Sequence, residues 1–140
     1  MTRRRLNILL HWTFFLMLLA MIKGGTDAVW LRWAYVAVGV VWVSVAAVKG
    51  VLARPGPKLS GVLRDSFRIG HAAIYGVIAL SVVINAGALL GWAAKDLAFS
   101  SLLWVLTVGI FHALFHFWRH NVLYDNALRM ISPKFAHKYL

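Results

Sequence analysis

The sequence has no cysteine and no glutamate, two residue types that often build cofactor and catalytic sites, and it has only three prolines. Without cysteine, the chain cannot form a disulfide, attach a c-type haem covalently or ligate an iron-sulfur cluster. Its four aspartates all lie outside the long apolar stretches, so no carboxylate stands beside the histidines within those stretches. The six histidines are therefore the side chains to weigh as ligands.

The composition is that of a membrane protein, because 61% of the 140 residues are hydrophobic and only 14% are charged. A bilayer core of about 30 Å requires a helix of about 20 residues. Windows of that length predict four spans, at about residues 6–22, 29–51, 69–92 and 97–118. The first span follows three arginines but lacks a small-residue cleavage site, which favours a retained helix over a signal peptide.

The basic residues are distributed unevenly between two sets of loops. Twelve of the fifteen lie in the N-terminal segment, the middle loop and the C-terminal segment: Arg3, Arg4, Arg5, Lys49, Arg54, Lys58, Arg64, Arg68, Arg119, Arg129, Lys134 and Lys138. The other two loops hold Lys23, Arg32 and Lys95. The positive-inside rule therefore places both termini and the middle loop in the cytoplasm. Topology and attraction to anionic lipid account for the net charge of +11, so we expect a lipid bilayer and no nucleic acid as partner.

The middle loop reads ARPGPKLSG over residues 53–61 and cannot continue a helix, because it contains two prolines and two glycines. It divides the chain into two hairpins of two spans each. Four spans joined by short connections favour a closed bundle. The predicted fold is an all-α, integral membrane four-helix bundle with both termini inside, as a single domain over residues 1–140.

Two histidines lie well inside the spans at similar depths. His11 is about 8 Å from the cytoplasmic end of the first span, and His112 is about 9 Å from that end of the fourth. Ionisable residues inside a bilayer usually face the bundle interior and mark a functional path. Imidazoles on two facing helices suit the two sides of one haem iron. The alternative is a pair of packing histidines bonded to nearby backbone.

Three further histidines leave more than one interpretation open. His71, at the start of the third span, suits a haem propionate partner, a residue near the haem ligands or part of a quinone site, but equally an ordinary interfacial histidine. His116 and His120 follow His112 at intervals of four residues, and such a trio can ligate zinc. His120, beside Arg119, is expected at the membrane interface.

Several short motifs resemble the bacterial cytochrome b561 family, which is related to the cytochrome b subunits of nickel-iron hydrogenases and formate dehydrogenases. The matching pieces are His11-Trp12, the run GHAAIY at residues 70–75, His112, and YDNALRMISP at residues 124–133. They cover three of the four spans and the C-terminal tail. The resemblance implies a four-helix, quinone-linked b-type cytochrome in the bacterial inner membrane.

The resemblance also implies haem ligands, and here the chain departs from the family. Members typically hold two b haems, and the ligands of the inner haem correspond to His11 and His112. The outer haem uses a histidine four residues before the position of Gly39 and another fourteen residues before that of His112. Those positions are Tyr35 and Ala98 here, so both outer ligands are missing. We therefore expect one b haem, in the cytoplasmic half of the bilayer.

The implied function is electron transfer between this haem and quinone or quinol, with His71, His116 or Arg68 contacting quinone or delivering protons. A single inner haem does not reach the outer half, so a partner redox subunit or a homodimer is expected. One alternative is a stand-alone quinone-linked oxidoreductase of the superoxide oxidase type. Another is a haem-free membrane anchor subunit.

Overall fold

The computed structural model describes residues 2–139 and consists of four long helices with short 3-10 segments. The long helices are α1 (Arg3–Ile22), α2 (Val29–Lys49), α3 (Gly61–Leu90) and α4 (Lys95–Val122). The 3-10 segments are Gly25–Asp27, Ala127–Met130 and Lys134–Tyr139, and the described residues contain no strand. Each long helix is long and apolar enough to cross a membrane. The predicted all-α four-helix membrane fold is confirmed.

The helices contain most of each predicted span, but three of them extend beyond it. α1 begins at Arg3, where the Thr2 hydroxyl accepts a hydrogen bond from the Arg5 backbone N–H at 3.4 Å. α3 begins at Gly61, eight residues before the predicted span, and α4 continues to Val122. The hydropathy pattern predicts only the apolar part of a helix, whereas backbone hydrogen bonding continues into polar residues. With 30 residues, α3 is about 45 Å long and exceeds the thickness of a bilayer core.

Consecutive helices run in opposite directions and pack side by side, and α1 closes the bundle by contacting α4. We call the end that holds both termini and the middle loop the inner end, following the orientation that the charges predict, and the opposite end the outer end. The core contains Leu10, Phe14, Leu18, Met21, Tyr35, Val36, Trp42, Ile78, Val82, Leu102 and Val105. Many large apolar side chains instead face outward, including Trp30, which is 72% exposed. Such outward faces suit contact with lipid.

Gly39 lets α2 approach its neighbours closely. A Cβ at this position would overlap the Val82 side chain on α3 and lie 3.1 Å from Cε2 of Phe14 on α1. The close approach brings the Phe14 ring against the ring of Tyr35, with centroids 4.8 Å apart. Small residues at such crossings are typical of membrane helices, because close backbones increase van der Waals contact.

The C-terminal tail folds back across the inner end of the bundle. The Trp12 indole N–H donates to the Ile131 carbonyl at 3.0 Å, and Arg4 donates to the Arg129 carbonyl at 2.7 Å. At the end of α4, the Arg119 Nε donates to a carboxylate oxygen of Asp125 at 2.7 Å. The side chains of this ion pair are only 4% and 3% exposed. The tail therefore covers the inner end through specific polar contacts.

Candidate functional site

Histidines from three helices meet in the inner half of the bundle. The ring centroids of His71 and His112 are 4.9 Å apart, those of His112 and His116 are 4.6 Å apart, and those of His71 and His116 are 5.4 Å apart. One nitrogen from each of these three rings lies within 4.8 Å of the other two. His11 lies eight residues after the first residue of α1, in the same half of the bundle. We call these four residues the inner histidine cluster.

Helix geometry explains why α3 and α4 bring three of these side chains together. His112 and His116 are four residues apart, so they lie on the same face of α4, about one turn from each other. His71 lies ten residues after the first residue of α3, and His112 lies ten residues before the last residue of α4. Because the two helices are antiparallel, these equal offsets place both residues about 15 Å from the inner helix ends.

The tautomer of His71 follows from its hydrogen bond. Its Nδ1 lies 2.8 Å from the Phe67 carbonyl oxygen. A carbonyl oxygen only accepts, so Nδ1 must carry the hydrogen and donate it. In a neutral ring, Nε2 then keeps its lone pair and is available as a ligand atom. His71 is 8% exposed, so this nitrogen is held within the protein.

His11 occupies an aromatic setting between α1 and α2. Its ring meets those of Trp12 and Trp42 edge-on, with centroids 5.7 and 5.6 Å away. Its Nδ1 is buried and has no hydrogen-bond partner among the described residues. The packing alternative, a histidine held by a backbone hydrogen bond, therefore does not describe this nitrogen.

Two cavities adjoin the cluster on opposite sides of His71. The larger, of about 280 Å³, lies between α3 and α4 and is lined by His71, His112, Phe67, Phe111 and Phe115 among others. The second, of about 200 Å³, lies between α2 and α3 and is lined by His71 and Tyr75 together with aliphatic residues. Both cavities are bordered mainly by apolar side chains, as small-molecule sites usually are.

Two other residues considered as site residues, Arg68 and His120, lie outside this cluster. Arg68 is exposed on α3, and its predicted role at a quinone or in proton delivery stays a prediction. His120 is partly buried and is not one of the three histidines whose nitrogens converge. The structure brings His71 to His112 and His116, in place of the His112-His116-His120 trio considered from spacing alone. Arg119, expected at the interface beside His120, is buried in its ion pair with Asp125.

The outer half contains a buried polar network that sequence reasoning missed. The Tyr35 hydroxyl lies 2.9 Å from the Ser81 hydroxyl, which lies 3.0 Å from that of Ser101. The Asn85 amide nitrogen donates to the Ser81 carbonyl at 2.9 Å and to the Ser101 hydroxyl at 3.1 Å. All four side chains are completely buried. We call these four residues the outer polar network.

The signal for this network was present in the sequence as polar residues inside apolar spans. Ser81 and Asn85 stand four residues apart in the third span, so they share one face of its helix. Another buried polar residue inside a span is Arg32, which is 5% exposed on α2 and whose Nε has no partner among the described residues. The bundle thus carries buried polar groups at both ends.

The donor chemistry of the two halves differs with respect to a haem. Neutral imidazole nitrogens are axial ligands of b-type haem iron, and the inner cluster offers them from α1 and α4. At the outer positions, Tyr35 bonds to Ser81, and Ala98 is a fully buried residue whose carbonyl accepts from the Ser101 hydroxyl at 2.7 Å. The inner half therefore offers imidazole nitrogens of the kind that hold haem iron, whereas the outer positions Tyr35 and Ala98 offer none.

Comparison of the chain with protein-family models, with curated proteins and with solved structures finds no match.

Proposed function

We propose that this chain is a membrane electron-transfer cytochrome that binds one b-type haem between His11 and His112 and exchanges electrons with quinone or quinol. The observation that carries the proposal is the convergence of the His71, His112 and His116 imidazoles in the inner half of an apolar bundle, with His11 on α1 in the same half. His11 offers an imidazole from α1 in an apolar, aromatic setting, which suits an axial ligand of a haem iron. The motifs shared with the cytochrome b561 family select haem among the groups that imidazoles bind.

The buried residues of the outer half support the binding of one haem instead of two. The two positions that hold outer ligands in the family, Tyr35 and Ala98, are both completely buried against neighbouring side chains. A second haem would require displacement of the outer polar network and the loss of its hydrogen bonds. A bound inner haem supplies a one-electron redox centre, which the surrounding protein tunes by ligand identity and burial.

Other residues of the chain have roles around the proposed haem and quinone sites. Trp42 packs edge-on against His11, and Phe14 packs against Trp42, so the surroundings of His11 are apolar. His71 lines the 280 Å³ cavity, where its imidazole is placed to exchange a proton with a quinone head group. His116 lies next to His71 and extends the path toward the inner end. A partner redox protein supplies or removes electrons on the side that the single haem does not reach.

Substitution of the histidines tests this assignment. Purified protein is expected to show a b-type band in a reduced-minus-oxidised absorption spectrum. His11→Ala and His112→Ala each abolish the band, whereas the matched variant His120→Ala, two turns along α4 from His112, retains it. A band that survives His112→Ala, or one that depends on His71 in place of His11, contradicts the ligand pair.

Reduction by quinol separates the alternatives. Rapid reduction of the haem by a soluble quinol supports the quinone site, and slower reduction in His71→Ala with an unchanged spectrum places His71 in it. Steady quinone reduction by superoxide without a partner favours the stand-alone oxidoreductase. Protein that never binds haem favours the membrane anchor and contradicts the proposal.

A further inference from the structure

Three members of the inner histidine cluster form a group that does not depend on His11. His71, His112 and His116 present one nitrogen each, and all three nitrogens lie within 4.8 Å of one another. We call these residues the histidine trio. Tetrahedral binding of Zn²⁺ at about 2.0 Å requires nitrogens about 3.3 Å apart. The three nitrogens must therefore approach one another by at most about 1.5 Å.

His71 has the hydrogen bonding that metal-bound histidines show. A histidine that ligates a metal usually donates its other ring N–H to a carboxylate or a backbone carbonyl, which fixes the tautomer and the direction of the ring. The Nδ1 of His71 donates to the Phe67 carbonyl at 2.8 Å. This bond leaves Nε2 unprotonated and oriented by the helix that carries it.

His116 and His112 supply the other two donors. The Nε2 of His116 is buried and has no hydrogen-bond partner among the described residues, which destabilises the fold unless a ligand satisfies it. His112 lies one turn away on the same face of α4, and two histidines at this spacing are a recurring way to hold one metal ion. The trio therefore combines an oriented donor with a buried, unsatisfied one.

We infer that the haem-free chain binds one divalent transition-metal ion, such as Zn²⁺, through the histidine trio. Imidazole nitrogens suit zinc, copper, iron and nickel. Three protein ligands leave the fourth position for water or hydroxide, as in open zinc sites. His71 and His112 both line the 280 Å³ cavity, from which such a ligand would enter. No carboxylate belongs to the trio, so an anionic fourth ligand would lower the charge of the buried ion.

The ion and the haem compete for the same residue. His112 is a member of the trio and also one of the two proposed haem ligands, so the chain cannot use it for both at once. This second part of the inference rests on the proposed function, whereas metal binding itself does not. An ion in the trio would hold the chain in a haem-free form, and haem loading would expel it.

Metal binding to the full-length chain tests the first part. Protein purified in detergent from haem-limited cells is titrated with Zn²⁺, and Co²⁺ is used in parallel because its absorption bands report tetrahedral nitrogen ligands. Binding of about one ion per chain is expected. His71→Ala and His116→Ala each weaken binding by more than the 10- to 100-fold that loss of an outer-shell partner costs. His11→Ala and His120→Ala retain the wild-type affinity.

Folding controls keep the result interpretable. Helix content and thermal unfolding are measured for each variant, and His116→Asn, which keeps a polar side chain of similar size, replaces His116→Ala if the alanine variant does not fold. A folded His116 variant that binds Zn²⁺ as the wild type does overturns the inference, and so does wild-type protein without tetrahedral Co²⁺ bands.

Haem loading tests the second part. Prior addition of Zn²⁺ is expected to slow haem uptake in the wild type and to have no effect in His116→Ala, which retains both haem ligands. Equal slowing in both proteins contradicts competition at the trio. If no variant takes up haem but the Zn²⁺ pattern holds, the proposed cytochrome function fails and the metal site stands.

Discussion

The two halves of the bundle differ in how their buried polar side chains are hydrogen-bonded. In the outer half, the hydroxyls of Tyr35, Ser81 and Ser101 and the Asn85 amide nitrogen bond to one another and to nearby carbonyls. In the inner half, buried nitrogens of His11 and His116 have no hydrogen-bond partner among the described residues. Cavities adjoin the inner histidines.

This difference shows which half is prepared for a ligand. A polar group in the bilayer core must find a partner, because lipid offers none. The hydroxyls of the outer network find theirs within the protein, whereas the Asn85 Oδ1 and the Arg32 Nε in that half have no hydrogen-bond partner among the described residues. The inner histidines leave donor atoms that only an added group can satisfy. Because cavities adjoin the inner histidines, we predict that the inner half binds a ligand and that the outer half contributes to the stability of the fold.

The largest expected effect concerns the ion pair that fixes the end of α4 below the histidine cluster. Asp125→Ala leaves the buried guanidinium of Arg119 without its partner, which destabilises the fold by about 3–5 kcal/mol. Asp65→Ala, which removes an exposed carboxylate near the inner end of α3, is the matched control. Unfolding in detergent, followed by helix content, measures both. If the two variants unfold alike, the pair does not stabilise the inner half.

A second prediction attempts to make the outer half resemble the inner one. The double variant Tyr35→His, Ala98→His restores two histidines at the outer positions but forces an imidazole into the fully buried site of Ala98. Overpacking of this kind costs about 1–3 kcal/mol. We expect lower stability and an unchanged haem content. Ala94→His, one turn earlier and exposed, is the control for the added imidazole. A second haem in the double variant would show that the outer half is not closed.

The smallest effect is expected from removal of one hydroxyl of the outer network. Tyr35→Phe deletes the hydrogen bond to Ser81, which stabilises the fold by about 0.5–1.5 kcal/mol. The exposed Tyr124 provides the control Tyr124→Phe, for which no change is expected. Haem binding should be the same in both variants, because Tyr35 lies in the other half. A spectral change in Tyr35→Phe alone would link the two halves.

The fold was predictable because length and apolarity decide it. Stretches of about 20 apolar residues are sufficient to identify membrane helices. The true ends were not predictable from hydropathy, since α3 begins at Gly61, eight residues before the apolar run that hydropathy detects. The cover formed by the C-terminal tail was missed for a similar reason, because it depends on contacts such as Trp12 to Ile131, which join distant parts of the chain.

The half of the bundle that holds the histidines was predictable from the sequence, but which of the histidines converge was not. Counting residues from the helix ends placed His11, His71 and His112 in the same half of the membrane. Spacing along α4 suggested that His120 continues the His112-His116 pair, whereas the structure brings His71 to that pair from α3. Which histidine completes the group depends on how α3 and α4 are rotated against each other, and this rotation arises from packing along the whole interface.

The number of haems per chain tests the contrast between the halves most directly. The measurement is the haem-to-protein ratio of the purified full-length chain, from pyridine haemochrome absorbance and amino-acid analysis. A ratio near one is expected, with loss of all haem in His112→Ala. A ratio near two would show that the outer half also binds haem and would contradict the account.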